Sequence, residues 1–315
     1  MTLATTGRVL CIGAANIDRK LTAKGPLRMG TSNPARQHES FGGVARNVAE
    51  NLAHLGAGVA LLTAVGRDSG GQALLAHAQV AGIDTGSALV FEGQASGTYT
   101  AVLDQRGDMV LALADMELYE QLTPERVAAG LSGPAALTVA DLNLPLETVS
   151  ALVRTVQPLV VVAVSEPKMA RLPADLSGLR LLILNRGELQ ARVGRQVDSD
   201  AALLDACREV QAQGVRDIIV TSGSAGVSYT TPGGIEHLDV VPAEVVDVTG
   251  AGDAFSAAAC WSLLKDPDDL RLACRRGMYL AARTVASRST VIPANAGTHA
   301  ELALDARYGF PRSRE

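Results

Sequence analysis

The sequence predicts an α/β fold with a mostly parallel central sheet, helices on both faces of that sheet and a small β-sheet lid. Short apolar runs with the length of buried strands alternate with longer stretches of helical period, which is typical of βαβ units and parallel sheets. Two segments interrupt the alternation: residues 20–40 are polar without a helical period, and residues 97–113 form two strand-like runs around a turn. We expect these segments to pair into a lid over the strand ends.

The composition limits the classes of protein that fit. Of the 315 residues, 47% are hydrophobic and 19% charged, which provides a sizeable core and excludes general disorder. The net charge of −5 and the aromatic content of 3% lack the basic footprint and stacking platforms of nucleic-acid binding, so we expect no such polymer partner. Four scattered cysteines without C-x-x-C spacing, no evident signal peptide and no long apolar stretch predict a cytoplasmic protein without a membrane partner.

The first predicted strand places polar side chains where ligands of open α/β sheets bind. Residues 9–13 are a short apolar run that ends in Gly and small residues, and Asn16 and Asp18 follow at its carboxyl end. The first half of the chain then predicts a helix at 44–55, a strand at 59–65, a helix at 72–81 and a β-hairpin of 97–103 with 109–113.

The second half resumes the alternation. Thr123-Pro124-Glu125 is a helix-start signal, because Pro is favoured in the first turn. Further strands are predicted at 136–140, 159–164, 181–184, 217–221 and 226–229. We assign residues 1–18, 42–90 and 117–315 to a nucleotide- and substrate-binding core and residues 19–41 and 91–116 to the lid. Residues 293–315 carry no motif that we can interpret.

A glycine-rich segment carries the strongest sign of chemistry. Gly250, Ala251, Gly252 and Asp253 lead into a run of small and apolar residues that should be helical. Glycines let phosphate oxygens approach the amides at the positive end of a helix dipole, so the segment is typical of an anion hole. Asp253 suits a general base for an attacking hydroxyl. An acidic residue at a helix start is also a plain capping device, so the tetrapeptide alone is weak.

Further motifs make the interpretation specific. The chain has no Walker A loop, no G-x-G-x-x-G and no protein-kinase H-R-D triplet. Four segments, of which one contains Gly250 to Asp253, occur in the order of the ribokinase-like (PfkB) carbohydrate kinases, and the match runs through nearly the whole chain. They are Gly42-Gly43 with Asn47, residues 185–188, residues 221–226 and residues 247–253. The chain therefore resembles this family, which implies a ribokinase-like fold and phosphoryl transfer from ATP.

The resemblance also assigns the catalytic and cofactor residues. It implies that Asp253 is the base and that the amides of Gly250, Ala251 and Gly252 stabilise the migrating phosphoryl group. The family's N-x-x-E element falls on Asn185 and Glu188 and organises Mg²⁺ through water, with a helix capping box as the alternative. The loop beside the ATP phosphates and ribose comprises Thr221, Ser222, Gly223, Ser224 and Gly226, with a plain turn as the alternative. Asp247 and Thr249 match positions that flank a monovalent-cation site in some members, so a K⁺ requirement stays open.

Substrate residues follow from the same resemblance. Asp18, Gly42, Gly43 and Asn47 match positions that hold sugar hydroxyls, since a carboxylate can accept two hydrogen bonds and glycines admit the ring. Within the family the pattern is most similar to pseudouridine kinases. That similarity is carried by residues 11–18, 32–34, 42–47, 115–116 and 140–143, and it adds Asn16 and Asn143 to the substrate site. The implied reaction is phosphorylation of the 5′-hydroxyl of pseudouridine to pseudouridine 5′-phosphate.

The lid is expected to read the base. Ser32, Asn33, Ser96, Thr98 and Tyr99 offer donors and acceptors for a uracil edge, or are polar residues of an exposed ribbon. Closure of the lid would exclude water that could otherwise accept the phosphoryl group. Because lid strands in this family often meet across a dimer, we expect a homodimer.

One departure and several alternatives stay open. Relatives commonly end the strand equivalent to 159–164 with an Asp near the metal, whereas this chain continues with Ser165 and Glu166. Either Glu166 or a water network takes the place of that Asp, or Mg²⁺ binds differently. Val44 stands where many ribokinases have Lys, which disfavours ribose. The alternatives are another kinase of the family, of the ribokinase, fructokinase, 2-keto-3-deoxygluconate or adenosine kinase type, and a non-catalytic sugar-binding regulator. A dinucleotide-dependent oxidoreductase is disfavoured because the phosphate fingerprint is missing.

Overall fold

A computed structural model describes residues 7–131, 133–287 and 289–292. The strands are β1 (Arg8–Ile12), β2 (Asn16–Ala23), β3 (Ala35–Gly42), β4 (Gly58–Leu62), β5 (Ala64–Gly66), β6 (Ile83–Asp84), β7 (Leu89–Phe91), β8 (Thr98–Leu103), β9 (Met109–Asp115), β10 (Leu137–Asp141), β11 (Leu159–Val162), β12 (Leu179–Asn185), β13 (Asp217–Thr221), β14 (Val227–Thr231) and β15 (Gly234–Leu238). The helices are α1 (Val44–His54), α2 (Ser69–Val80), α3 (Pro124–Gly130), α4 (Leu146–Thr155), α5 (Arg186–Val193), α6 (Asp200–Gln211), α7 (Ala251–Leu263) and α8 (Leu270–Val285). Short 3₁₀ helices span Glu117–Gln121, Glu166–Arg171 and Gly223–Ala225.

The central sheet has nine strands in the order β15-β14-β13-β12-β11-β10-β1-β4-β6. All neighbours from β13 to β6 are parallel, and β14 and β15 add an antiparallel edge. The predicted mostly parallel sheet is therefore confirmed. The prediction missed β15, which is short and partly exposed and carries Glu236 and His237 instead of an apolar run.

Helices cover both faces of this sheet, because successive strand residues point to opposite sides. In β1, Val9 and Cys11 join a core cluster with residues of α1, α2, α7 and α8, whereas Leu10 and Ile12 join a second cluster with residues of α3, α4, α5 and α6. Near-continuous apolar strands such as β11, which is buried throughout, are the sequence signature of this double coverage.

A second sheet has four strands in the order β3-β2-β8-β9 and forms the lid. β2 and β3 are antiparallel with Asn16 opposite Gly42 and Ala23 opposite Ala35, and β8 and β9 form the hairpin that the sequence predicted. The lid strands begin and end slightly outside the predicted segments, since β2 starts at Asn16 and β3 ends at Gly42. β7 lies within neither main sheet and pairs with β5.

The carboxyl ends of β1, β10, β12 and β13 lie along one edge of the central sheet, because these strands are parallel. The first strand of the lid, β2, follows directly from β1 at this edge. In the part of the chain that the structure describes, no helix is long and apolar enough to cross a membrane. Residues 1–6 and 293–315 of the predicted core lie outside the described residues.

Candidate active site

The start of α7 has the backbone geometry of an anion-binding loop. Gly250 precedes the helix in the left-handed region with φ of 80°, and a Cβ there would collide with the carbonyl of Thr290. The amide of Ala251 donates to the carbonyl of Val248 at 3.3 Å, which leaves it less available than the prediction assumed. A Cβ on Gly252 would meet open space. The amides of the first turn lack acceptors within the helix, so Gly252 is the residue beside which an anion can approach them.

Asp253 lies in that first turn and is held by a residue more than 200 positions away. The side-chain amide of Asn47 donates to Oδ2 of Asp253 at 2.7 Å. Burial raises the pKa of Asp253 to about 7; the hydrogen bond from Asn47 opposes the shift, and the charges of Asp141 and Asp18 add to it. A carboxylate with a pKa near neutrality is suited to accept a proton from an alcohol and to release it again.

Arg46 fixes the orientation of Asn47. Its guanidinium donates to Oδ1 of Asn47 at 2.9 Å, so the amide nitrogen of Asn47 is the atom that faces Asp253. Arg46 is only 2% exposed, donates to the carbonyl of Phe41 at 2.7 Å and pairs with Glu50. Neither Arg46 nor Glu50 was predicted from the sequence, although charges four residues apart on a buried helix face are a recognisable signal.

The paired glycines close one wall of a cleft around Asp18. A Cβ on Gly42 would collide with the carboxylate of Asp18, and a Cβ on Gly43, whose φ is 96°, would collide with the carbonyl of Ala14. Asn16 donates to Oδ1 of Asp18 at 2.6 Å, and burial raises the pKa of Asp18. The predicted sugar-site residues Asn16, Asp18, Gly42 and Gly43 therefore lie together, with Asp18 as a hydrogen-bond acceptor against the backbone of Gly42.

Asp141, which the sequence analysis did not single out, joins the elements of this cleft. It is 1% exposed, and its Oδ2 accepts from the amides of Ala14 and Ala45, both at 2.9 Å. Its Oδ1 accepts from the amide of Asn143 at 2.8 Å. The end of β1, the start of α1 and the end of β10 are thus fixed relative to one another by one carboxylate.

Asn143 is buried at the end of β10, and its side chain already has a partner. The ammonium of Lys168 donates to Oδ1 of Asn143, and Arg171 donates to the carbonyl of Asn143 at 2.7 Å. Burial lowers the pKa of Lys168. Lys168, which was not predicted from the sequence, therefore accompanies Asn143 and brings a positive charge to this side of the cleft.

Two of the predicted base-reading residues, Ser32 and Asn33, lie far from the cleft of their own chain. Ser32 and Asn33 lie at the tip of the β2–β3 hairpin, beyond the pair Ala23 and Ala35. Seven residues of strand separate this pair from Asn16, which is about 23 Å at about 3.3 Å per residue. Asn33 accepts from the amide of Arg28 at 2.8 Å and so stabilises its own loop.

Residues at the start of β8 divide between two faces of the lid. Thr98 pairs with Ile17, whereas Tyr99 pairs with Asp18, and adjacent residues of a strand point to opposite faces. Tyr99 therefore shares the face of Asp18, and Thr98 does not. Ser96 is buried and donates to Asp68 at 2.7 Å, which gives it a structural role at the start of α2.

A cavity of about 490 Å³ lies over the ends of β12 and β13. Three of the predicted nucleotide-loop residues line it, namely Thr221, Ser222 and Gly223. The rest of the lining comprises Asn185, Arg186, Gly187 and Ala225. Gly226, with φ of 87°, ends the 3₁₀ turn that also contains Ser224. The N-x-x-E element and the Gly/Ser loop thus form one groove, as an extended ligand across two strand ends requires.

Asn185 and Glu188 form a capping box, and the carboxylates beside it also fit a magnesium ion. Asn185 accepts from the amide of Glu188 at 2.9 Å, and Glu188 accepts from the amide of Asn185 at 2.7 Å. Burial raises the pKa of Glu188, and the charge of Glu166 adds to the shift. A Cβ on Gly187 would collide with the carboxylate of Glu166. Glu166 therefore lies near the turn that holds Glu188, and a pair of nearby carboxylates suits Mg²⁺, which binds few protein ligands and keeps most of its waters.

Asp247 and Thr249, in contrast, do not fit a free K⁺ site. Oδ1 of Asp247 accepts from the amide and the hydroxyl of Thr249, at 2.9 and 2.6 Å. Oδ2 accepts from the ammonium of Lys20 at 2.8 Å. Burial opposes the shift, but the hydrogen bonds from Lys20 and Thr249 lower the pKa of Asp247 to about 2. The carboxylate is therefore ionised and already neutralised by a lysine of the lid.

Comparisons with known proteins identify the family of the chain. The family model described as pfkB family carbohydrate kinase matches residues 6–296. An uncharacterized sugar kinase, YeiI, of Escherichia coli (strain K12) is 34% identical over 81% of this chain and 72% of its own length. The pseudouridine kinase of the same organism is 31% identical over 80% of this chain and 83% of its own length.

Solved structures give the same result for the fold. A carbohydrate kinase from Agrobacterium tumefaciens superposes with a TM-score of 0.79 at 31% identity and covers 94% of this chain and 97% of its own. The ribokinase of Arabidopsis thaliana, solved with ribose and ATP, superposes with a TM-score of 0.78 at 19% identity, over 94% of this chain and 97% of its own. The fold is therefore ribokinase-like, as the sequence predicted.

Proposed function

Because the chain belongs to the pfkB family of carbohydrate kinases, we propose that it transfers the terminal phosphoryl group of ATP to the 5′-hydroxyl of pseudouridine. The observation that carries the phosphoryl transfer is the contact between Asn47 and Asp253, which holds a partly buried carboxylate with a pKa of about 7 at the start of α7. The choice of pseudouridine rests on the sequence similarity to the kinase for that nucleoside.

Different residues of the chain carry out the different steps of this reaction. Asp18, with Gly42 and Gly43, holds the ribose hydroxyls so that the 5′-hydroxyl faces Asp253. Asp253 accepts the proton of the 5′-hydroxyl while the 5′-oxygen forms the new bond to phosphorus. ADP departs with the electrons of the bond that joined it to the transferred phosphoryl group. The amides beside Gly252 stabilise the charge on the phosphoryl oxygens during transfer.

Glu166, Glu188 and Asn185 would hold Mg²⁺ and its waters at the other end of the groove. Mg²⁺ when bound neutralises the charge of the ATP phosphates. The lid strands carry Tyr99 on the face of Asp18, so closure of the lid covers the substrate and excludes water. Asn143 and Lys168 line the same cleft from the core and offer hydrogen bonds to a base.

A substrate panel tests the proposal. ATP consumption is measured with pseudouridine, uridine, adenosine, ribose, fructose and 2-keto-3-deoxygluconate as acceptors. We expect turnover with pseudouridine to exceed that with uridine, because pseudouridine presents a free ring N–H where uridine has its glycosidic bond. Equal rates with the two nucleosides, or no turnover with pseudouridine, would contradict the assignment of the substrate.

A second candidate is a kinase for another sugar or nucleoside, and the similarity to the uncharacterized sugar kinase favours it. The same panel separates the two, because this candidate predicts turnover with a different acceptor and the same dependence on Asp253. If no acceptor is phosphorylated while sugars still bind, a non-catalytic regulator is supported instead.

We also propose a homodimer formed through the lid. One face of the lid sheet carries a row of apolar residues, Leu21, Val102 and Leu111, with Leu113 on the same face. Asp18 lies on the other face of the sheet. Leu113 is 67% exposed, and apolar rows of this kind are typical of interfaces. We expect a dimer in light scattering and a monomer for Leu113→Asp. A wild-type monomer at micromolar concentration would contradict this.

A further inference from the structure

Lys20 connects the lid to the loop that leads into the catalytic helix. It lies on β2, two residues after Asp18 and hence on the same face of the lid. Its ammonium contacts Oδ2 of Asp247 at 2.8 Å, across 227 positions of sequence, and each side chain is about one-third exposed. The positive charge also faces Asp18, whose pKa it lowers against the larger effect of burial.

Asp247 holds that loop in place through several hydrogen bonds. Residues 239–250 have no regular secondary structure, and the amides of Val246 and Asp247 are tied to the core at the carbonyl of Val285, at 2.7 and 3.2 Å. Thr249 is tied to Asp247 by two further hydrogen bonds. Whatever neutralises Asp247 therefore acts on the segment that places Gly250, Gly252 and Asp253.

A bound potassium ion and the ammonium of Lys20 exclude each other at this carboxylate. Oδ1 is used by Thr249 and Oδ2 by Lys20, so an added ion would lie against a like charge. Two unit charges about 4 Å apart at an effective dielectric constant of about 20 repel by about 4 kcal/mol. Lysine ammonium is a compact point charge on a flexible stem, which allows it to occupy a small cation's position.

We infer that Lys20 supplies from the lid the positive charge that a monovalent cation would supply at Asp247, so that lid closure and ordering of the anion-hole loop occur together. The inference rests on the phosphoryl transfer proposed above. When the lid opens, Asp247 loses its counter-charge; when the lid closes over a substrate, the loop before α7 gains it. The enzyme then needs no added K⁺ for turnover, and water meets an incomplete site while the lid is open.

Lys20→Met tests the inference, with Arg19→Met as the matched control. Arg19 is the neighbouring cation, lies on the opposite face of β2 and pairs with Glu39 at 3.1 Å. Rates are measured in KCl and in choline chloride at about 100 mM, so that screening is equal. We expect less than a twofold effect of K⁺ on the wild type and on Arg19→Met. For Lys20→Met we expect a loss of about tenfold in choline chloride, which is about 1.4 kcal/mol, and a recovery of about threefold or more in KCl.

Thermal unfolding gives a readout that needs no substrate. If K⁺ enters the position that the ammonium leaves, KCl should raise the Tm of Lys20→Met by about 2 °C over choline chloride, and should not raise that of the wild type. Adding Asp247→Asn to Lys20→Met should abolish this difference, because it removes the anion that both cations use. If the protein proves to phosphorylate nothing in the panel, these Tm values still decide whether Lys20 occupies a cation position.

Three results would overturn the inference. The first is activation of the wild type by K⁺ of tenfold or more. The second is a Lys20→Met variant with wild-type rates in both salts. The third is a loss of rate that KCl does not reduce together with a Tm that K⁺ does not change, because Lys20 would then not act as a cation at Asp247. In each case the kinase assignment itself would stand on the substrate panel.

Discussion

The sheet edge that carries the proposed catalytic residues and the four-stranded lid are held together in different ways. At the edge, side-chain hydrogen bonds join Asn47 to Asp253 and Asp141 to Ala14 and Ala45, and both Asn47 and Asp141 are buried. In the lid, β2, β3, β8 and β9 are held mainly by backbone pairing, and β9 is exposed along its whole length. We therefore expect the edge to be the more rigid of the two regions and the lid to tolerate substitution more readily. The following changes test that contrast.

Asp253→Asn should have the largest effect, because it removes the base from the rigid edge. We expect kcat to fall by about 10³-fold, within the usual range for a lost general base. The measurement is steady-state turnover under saturating ATP and acceptor. Turnover within tenfold of the wild type would reject the role of Asp253.

The same variant should be more stable than the wild type at alkaline pH. The pKa of Asp253 is raised in the folded state, so its stabilising contribution is present below about pH 4 and is lost as pH rises through about 7. Asparagine removes this loss, and we expect the Tm difference in favour of Asp253→Asn to be greater at pH 8 than at pH 5. An equal difference at both values would indicate an ordinary pKa for Asp253.

Asn47→Ala should lower kcat by about 30-fold and shift the pH profile. The wild type should lose kcat/KM below about pH 7, because Asp253 must be ionised to accept a proton. Asn47 lowers the pKa of Asp253 by its hydrogen bond, so its removal should move the acidic limb to higher pH. A lower rate with an unshifted limb would assign Asn47 to substrate binding alone.

Two glycines at the edge should separate folding from ligand binding. Gly252→Ala places a methyl in open space, so we expect an unchanged Tm and a loss of about tenfold in kcat/KM for ATP. Gly250→Ala meets the Thr290 carbonyl at a positive φ and should destabilise the protein by about 1–3 kcal/mol. Similar Tm values for the two variants would contradict the structure of the loop.

The lid should give the smallest effects. Tyr99→Ala alters the face that carries Asp18, and we expect KM for the acceptor to rise about fivefold with little change in kcat. Thr98→Ala alters the opposite face and should change KM by less than about twofold. The reverse order would mean that the base is read from the other face of the sheet.

Local patterns in the sequence were sufficient to predict most of the fold, whereas the roles of the site residues stay predictions. The alternation of apolar runs with helical stretches predicted the parallel sheet, and the capping residues of α3 and α5 marked helix starts. The capping box, which was the alternative for Asn185 and Glu188, is present in the structure, and their role at Mg²⁺ stays a prediction.

What the sequence could not predict depends on partners that are distant along the chain. Asp141 and Lys168 resemble ordinary strand-end and helix residues until the fold brings them to Ala14 and Asn143. Lys20 has no local signal at all, because its partner Asp247 lies 227 positions away. Strand register decided the difference between Thr98 and Tyr99, and a one-residue shift in a strand reverses every face.

The position of Asp141 also sets a limit on how this protein could change its substrate. One oxygen atom binds both Ala14 and Ala45, so the two walls of the cleft cannot separate without exposing an amide or stranding a buried charge. Widening the pocket for a bulkier acceptor would require replacement of three amide contacts at once. Directed evolution of new acceptors should therefore accumulate changes in the four-stranded sheet long before it touches the residues beneath.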